Sequence, residues 1–332
     1  MFHQARFTFA TVVFEPEKEL LDVQARSFAA HLRSDEVAKI LVIDNTARGL
    51  GRRDRERFAR AYGPLAPLVE ITRLPEVAAL QGQHGWRRQQ IAKLTVSRMV
   101  DTPFYITLDA KNHFIRDITL ADFFASDGRA RSGWHSYEHH PLAEELRHTL
   151  AELGADSAAI ESAVAWFPVT ATPFVLSTSE TRGLIAAVGG SDEEFSREFA
   201  RRGFLEFFLY SGWLEFHSVG FGALYVADPI QAPTLWPGAV DQAKVAATLA
   251  HADAIDAPLL GVHRRSLAAA APETLDLLTA FWVSHGVFAD SATASRLIGH
   301  FRRRFTARLA RARLSERLHS TLDSVRGQRR WG

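Results

Sequence analysis

Hydrophobic and polar positions divide the N-terminal half of the chain into alternating strand-like and helix-like stretches. Residues 7–14 (Phe7-Thr-Phe-Ala-Thr-Val-Val-Phe14) form an aromatic and β-branched run, the composition of a buried first strand. Residues 17–31 follow with Leu20, Leu21, Val23 and Phe28, and then Leu32, at near-helical spacing. A short apolar run over 38–43 ends at Asp44-Asn45 and gives way to Arg-rich polar sequence. Ile91, Leu94, Val96 and Met99 predict a helix over 89–99, and 103–108 predicts a third strand with Asp109 at its carboxyl end. The spacing predicts further helices over 142–153, 158–166, 178–188 and 191–201, separated by apolar runs at 169–176 and 219–227. Residues 228–237 hold three prolines and read as a loop or lid. Ile298, Phe301, Phe305 and Leu309, then Leu314, Leu318, Leu322 and Val325, predict an amphipathic helix whose other face is arginine. Strands alternating with helices predict an α/β fold with a mostly parallel, Rossmann-like sheet flanked by helices. The expected organisation is one principal domain over 1–267 and a helical, Arg-rich extension over 268–332.

Composition changes this picture in two places. The absence of cysteine removes disulfides, Cys-ligated zinc, iron–sulfur clusters and thiol nucleophiles. The formal net charge of +1 hides an asymmetry: from Arg296 onward eleven arginines face two acids, a balance of +9, so the preceding 295 residues carry −8. No window approaches the roughly 20 uninterrupted apolar residues of a membrane span, and no basic-then-apolar leader opens the chain. A cytoplasmic protein is expected, soluble or held peripherally at the inner face of a membrane. The sequence contains no GxGxxG after its first strand, no GxxxxGK[ST], no GxSxG and no HExxH. Dinucleotide dehydrogenase, P-loop, serine hydrolase and zincin chemistry are therefore not expected. Only the tail is basic and no recognised nucleic-acid fold accompanies it, so no nucleic-acid partner is expected.

Ligands of open α/β sheets lie beyond the carboxyl ends of the strands. Asp44 and Asp109 occupy such positions, and each reads either as a loop cap or as a ligand contact. In Gly85-Trp-Arg-Arg-Gln-Gln-Ile-Ala-Lys-Leu94, residues Trp86, Gln90 and Lys93 fall at i, i+4, i+7 on one helix face. An indole beside an ammonium suits a ligand with a ring and a phosphate; the alternative is a half-buried Trp anchoring a solvated helix. In Leu108-Asp-Ala-Lys-Asn-His-Phe114, Asp109 could hold a divalent cation or a sugar hydroxyl, Lys111 could neutralise a phosphate, and Asn112 could bond either.

The order of a first strand, a strand ending in Asp-Asn, a Gly-Trp-x-x-Gln-Gln-x-x-Lys-Leu helix and Leu-Asp-Ala-Lys-Asn-His-Phe resembles bacterial GT-A-type glycosyltransferases. More narrowly it is similar to an uncharacterised group of such proteins from polysaccharide gene clusters. Leu205-Glu-Phe-Phe-Leu-Tyr210 stands where that group has a Ser/Thr-Glu-Tyr-x-x-Tyr-like segment, and Val262-His-Arg-Arg-Ser266 matches a late His-Arg. The likeness covers roughly 5–267.

The resemblance implies a GT-A-like fold and a nucleotide-sugar donor at the carboxyl ends of the first strands. It further implies a cell-surface polysaccharide or lipid-linked glycan acceptor. In such enzymes an Asp-x-Asp holds Mg²⁺ or Mn²⁺ against the donor diphosphate; here Lys111 stands in place of the second acid. Two arrangements remain open: Asp109 with His263 on a loosely held cation, or a metal-free site using Lys93, Lys111 and Arg264. Within this reading Lys93 and Lys111 meet phosphate charge, Asp109 meets metal or sugar, and Asp44 with Asn45 meets the nucleoside. Glu206, at an apolar helix start where desolvation raises a carboxyl pKa, is the candidate general base or acceptor orienter; its alternative is a carboxylate at a helix N-terminus. Tyr210, four residues on, could bond it. His263-Arg264 reads alternatively as a surface loop. The leading expectation is a glycosyltransferase; the rival is a catalytically inactive GT-A-like glycan-binding or assembly protein. The tail over 296–330 could lie on anionic lipid or pack on the acidic body of the protein.

Overall fold

A computed structural model of the chain describes residues 6–73 and 85–328, with side chains of the last helix described as far as residue 310. The chain opens with β1 (Phe7–Val13), a 3-10 turn over Glu15–Glu17 and α1 (Lys18–His31), then β2 (Val37–Asp44), α2 (Arg52–Tyr62) and β3 (Val69–Arg73). After α3 (Gly85–Thr95) come β4 (Phe104–Asp109) and, across a tight turn, β5 (Asn112–Phe114). The middle holds β6 (Ala130–Ser132), β7 (Trp134–His135), α4 (Ala143–Glu152), α5 (Ser157–Ala165), β8 (Phe167–Pro168) and β9 (Phe174–Ser177). Next are α6 (Thr178–Val188), α7 (Asp192–Arg201), α8 (Glu206–His217), the single turn α9 (Phe221–Leu224) and β10 (Tyr225–Ala227). The chain closes with β11 (Thr234–Leu235), α10 (Gln242–Ala254), β12 (Leu259–Val262), α11 (Arg264–Ala269), α12 (Pro272–Ser284) and α13 (Ser291–Gln328).

The principal sheet has the order β3-β2-β1-β4-β9, parallel except for β9 at the edge. This is the mostly parallel, helix-flanked α/β sheet that the apolar runs predicted. Every residue of β1 is buried, because the strand is paired on both sides and covered on both faces. The chain leaves β1 toward β2 on one side and returns to β4 on the other. That reversal opens a crevice at the carboxyl end of β1. Register places Val13 beside Asp44 and Val12 beside Asp109, so both strand-end aspartates flank the exit of β1.

A second, three-stranded sheet, β11-β12-β5, carries late sequence to the same place. Val262 N donates to Lys111 O at 2.9 Å and His263 N to Leu235 O at 3.0 Å, which sets His263 and Arg264 beside the β4–β5 turn. The close approach of β11 to β12 requires glycine at 261, where a Cβ would stand 2.4 Å from Thr234 Oγ1. We expect Gly261→Ala to push these strands apart at a cost of about 1–3 kcal/mol, measurable as a lowered urea midpoint. An unchanged midpoint would show that Thr234 turns aside freely.

Two local expectations, at 219–227 and 228–237, differ from the observed elements. The Arg-rich stretch after Asp44 includes α2, which buries only Phe58, Ala61 and Tyr62 on a narrow face. The apolar run at 219–227 is half helical turn, half strand, and the proline-rich segment contains β11. The boundary expected after residue 267 falls within α11. In α13, Ile298, Phe301 and Phe305 are buried against the body. Arg304 reaches Glu19 at 3.0 Å and Glu15 at 3.3 Å, and Arg308 reaches Glu15 at 2.5 Å. This part of the tail packs on the acidic body; the side chains of Leu314, Leu318, Leu322 and Val325 lie outside those described. Among the described residues no helix is long and apolar enough to cross a membrane.

Candidate functional site

The β4–β5 turn is the centre of the site. Gln24 Nε2, on α1, donates to Asp109 O at 3.0 Å and to Asn112 O at 2.8 Å, clamping both ends of the turn. Asn112 Oδ1 accepts from Asp109 N at 3.0 Å and from Thr172 Oγ1 at 2.9 Å. The turn is thus fixed, and it presents Asp109 and Lys111 side by side. Lys111 Nζ donates to Asp109 Oδ2 in a very short contact and to Thr172 Oγ1 at 3.3 Å, and it lies 5.4 Å from the centre of the Trp236 ring. From α3, Lys93 Nζ meets Asp109 Oδ1 at 3.0 Å and Glu206 Oε1 at 3.1 Å, and Gln89 Nε2 also donates to Asp109 Oδ1 at 3.0 Å. Burial would raise the Asp109 carboxyl, but Lys111 and Lys93 more than offset this and hold it far below the carboxylate range. Burial likewise opposes the Lys93 charge, yet Asp109 and Glu206 keep its ammonium firmly protonated. Two buried ammoniums, the buried Glu206 carboxylate and the half-buried Asp109 carboxylate therefore form one alternating array.

Glu17 closes the array from the exit of β1. It is only 5% exposed and accepts from Arg264 Nη1 at 2.5 Å. Burial pushes its pKa up to about 7; Arg264 and Lys111 oppose the rise and Asp109 adds to it. His263 caps α11, its Nδ1 accepting from Arg265 N at 3.2 Å, and burial with the neighbouring cations Arg264 and Lys111 lowers its pKa to about 4. Glu17 makes a signed pH prediction. Between its ordinary value of 4.5 and about 7 the folded state keeps a proton that the unfolded state has released. Its stabilising contribution is therefore complete below about pH 4.5 and disappears as pH rises through about 7, a loss of order 3 kcal/mol. His263 contributes with opposite sign below its ordinary value, so the informative quantity is the difference between wild type and Glu17→Gln. Urea unfolding at pH 5 and pH 8 should show the variant gaining on wild type at the higher pH. Parallel curves would mean that Glu17 titrates normally.

Of the residues singled out in the sequence, Asp109, Lys111, Lys93 and Glu206 meet directly, and His263 and Arg264 stand next to them. Asp44 does otherwise: Oδ1 accepts from Thr46 N at 2.9 Å and Thr46 Oγ1 at 2.6 Å, and Oδ2 from Leu50 N at 2.5 Å, so its carboxylate caps the loop after β2. Asn45 Nδ2 donates to Gly85 O at 2.9 Å and ties that loop to α3. Trp86 is 57% exposed on the first turn of α3, whereas Gln90 is buried with neither amide atom bonded among the described residues. Tyr210 does not bond Glu206. Its hydroxyl accepts from Ser177 N at 2.9 Å and pairs with Tyr225 at 2.8 Å, because α8 turns that position into the core against β9. Glu17, Gln24, Gln89, Thr172 and Trp236 were not foreseen. Glu17 lies four residues past the end of β1, in the 3-10 turn, and Gln89 stands within the Gln-Gln pair of the α3 motif; Gln24, Thr172 and Trp236 carry no local signal.

The donor set fits a resident divalent cation poorly. Both Asp109 oxygens accept from ammonium groups, and one His263 ring nitrogen caps a helix. Among the described residues no three His, Asp or Glu side chains converge.

No curated protein matches the sequence. Among solved structures, the galactosyltransferase LgtC in complex with donor and acceptor sugar analogues is 14% identical, over 42% of this chain and 51% of that one, with a TM-score of 0.33. This chain therefore spans about half the length of LgtC. TarS of S. aureus is 9% identical over 89% of this chain and 42% of its own, with a TM-score of 0.37. Mouse xyloside xylosyltransferase 1 in its apo form is 12% identical over 70% and 88%, with a TM-score of 0.40. Residues 16–233 match the model of a family of unknown function, DUF6492. That match covers more than half of the chain, and the protein belongs to this family.

Proposed function

We propose that the protein is a glycosyltransferase that moves a sugar from a nucleotide-sugar donor to a glycan acceptor, cell-surface polysaccharide or lipid-linked, without a resident metal. The observation that carries this reading is the convergence of Lys93 and Lys111 on Asp109 at the carboxyl end of β4. Glycosyl transfer breaks the bond between the anomeric carbon and a diphosphate oxygen, and negative charge grows on the leaving group. Each ammonium has three N–H groups and uses two of them here, Lys93 on Asp109 and Glu206, Lys111 on Asp109 and Thr172. The third N–H of each, with Arg264 nearby, supplies preorganised positive charge to that oxygen. The new bond joins the anomeric carbon to an acceptor hydroxyl, whose proton passes to a carboxylate, Glu206 being the candidate and Glu17 the second. Asn112 holds the turn; Trp86 and Gln90 on α3, and Asn45, border the nucleotide side. A pocket of about 220 Å³ lined by Thr172, Pro173, Phe174 and Trp236 adjoins Lys111 and offers an aromatic face to a sugar ring.

The test is a thermal-shift screen of UDP-, GDP-, CMP- and dTDP-sugars, each with and without Mn²⁺, followed by nucleotide release. A nucleotide-dependent shift lost in Lys111→Ala, and indifferent to Mn²⁺, is expected. One observation favours the rival reading of an inactive glycan-binding or assembly protein: both ammoniums already pair with carboxylates, Lys93 with Asp109 and Glu206 and Lys111 with Asp109. A flat response to every nucleotide sugar would establish that rival over the enzyme.

A further inference from the structure

A further group of cations lines a cleft that shares no lining residue with this array. A cleft of about 540 Å³ opens between the loop after β2, the start of α1 and one face of α13. Its charged lining is Lys18, Arg48, Arg304 and Arg308 against the single carboxylate of Glu15. None of Lys93, Asp109, Lys111, Glu206 or Arg264 lines it. Glu15 serves three of the cations at once, Lys18 at 3.1 Å, Arg304 at 3.3 Å and Arg308 at 2.5 Å. Arg48 makes no hydrogen bond or ion pair among the described residues; beside it Gly49, at φ +76°, keeps the loop tight against the Asp44 carboxylate. Lys18 and Arg304 are further anchored by Asp54 at 2.8 Å and Glu19 at 3.0 Å, so their positions persist when a ligand arrives.

We infer that this cleft binds a phosphate group. Glu15, with Asp54 and Glu19 behind it, pairs Lys18, Arg304 and Arg308 but leaves Arg48 without a carboxylate, whereas a phosphate presents three oxygens and takes up arginine forks in pairs. The cleft holds an anion larger than chloride with space for what the phosphate is attached to. Two of its four cations come from α13, whose sequence lies beyond the residues matched to the family, so the C-terminal extension completes the site and a bound phosphate ties it to the body. The phosphate can be carried by a soluble polyphosphate or by a phospholipid headgroup; both present the same chemistry to Arg48, Arg304 and Arg308.

The experiment titrates the full chain with inorganic pyrophosphate by calorimetry, and separately sediments it with vesicles of 70% phosphatidylcholine and 30% phosphatidylglycerol, at stated salt. Arg48→Ala disturbs no contact of the fold and is the primary variant; Lys111→Ala controls for binding at the other site. At least a tenfold loss of pyrophosphate affinity in Arg48→Ala, with affinity retained in Lys111→Ala, supports the site with a soluble ligand. Loss of vesicle binding in Arg48→Ala supports it with a lipid headgroup. Both forms should weaken steeply with added salt. Binding of neither probe, or binding that Arg48→Ala leaves intact, overturns the inference.

Discussion

Lys93→Met is expected to destabilise the protein by about 3–5 kcal/mol, the usual consequence of removing one partner from a buried ion pair. Lys93 holds two carboxylates, the buried Glu206 and the half-buried Asp109. Asp109 retains Lys111 and Gln89 after the substitution, but no other cation pairs with Glu206 among the described contacts. Most of the cost therefore falls on Glu206. Two consequences distinguish this from a packing defect. The double variant Lys93→Met/Glu206→Gln should be more stable than Lys93→Met alone, a non-additivity expected only where the two groups interact. The penalty should also shrink as pH falls, because an unpaired buried carboxyl can be protonated and its desolvation relieved. Urea denaturation at pH 7 and pH 5 measures both. A cost below about 1 kcal/mol at pH 7 would mean that the array is solvated and contributes little.

The sheet was legible because its strands obey a simple rule: strands buried on both faces read as largely apolar runs, and β1, β2 and β4 do so with only threonines and the half-buried Lys39 intervening. Their ends were legible for the same reason, since a charged residue directly after such a run is conspicuous. Asp109 and Lys111 were therefore visible as a pair. Their relation to Lys93 was not, because it depends on α3 crossing the carboxyl end of the sheet, a tertiary fact. Glu206 was picked out by an acid among phenylalanines, yet the same apolar setting misled at Tyr210. Four residues further along a helix lies on the same face only approximately, and here α8 sends one side chain to the site and the other to the core. Asp44 shows the limit of the strand-end rule, which locates an acid without saying whether backbone or ligand will take it. Trp236 and Thr172 arrive through β11 and the turn before β9, and nothing in their local sequence announces contact with Lys111.

Lys111→Ala is expected to lower donor turnover by about 10²–10³-fold, the effect of deleting one preorganised group that meets charge developing in the transition state. Stability should change less than in Lys93→Met, since Asp109 keeps Lys93 and no second carboxylate is stranded. Lys111→Asp is the sharper test. The substitution sets two carboxylates at the ends of a turn already clamped by Gln24 and Asn112, the donor set that a hard divalent cation prefers. Without metal, two like charges should repel at close range, and the variant should melt below Lys111→Ala. With Mn²⁺ or Mg²⁺ it should recover in melting temperature by mass action, whereas wild type, whose Asp109 oxygens are both taken by ammonium, should not respond. Nucleotide release should follow the same pattern, metal-indifferent in wild type and metal-dependent in Lys111→Asp. If instead wild type is stimulated by Mn²⁺, then the ammonium of Lys111 is not standing in for a cation. Asp109 must in that case exchange its lysine for the metal when donor binds.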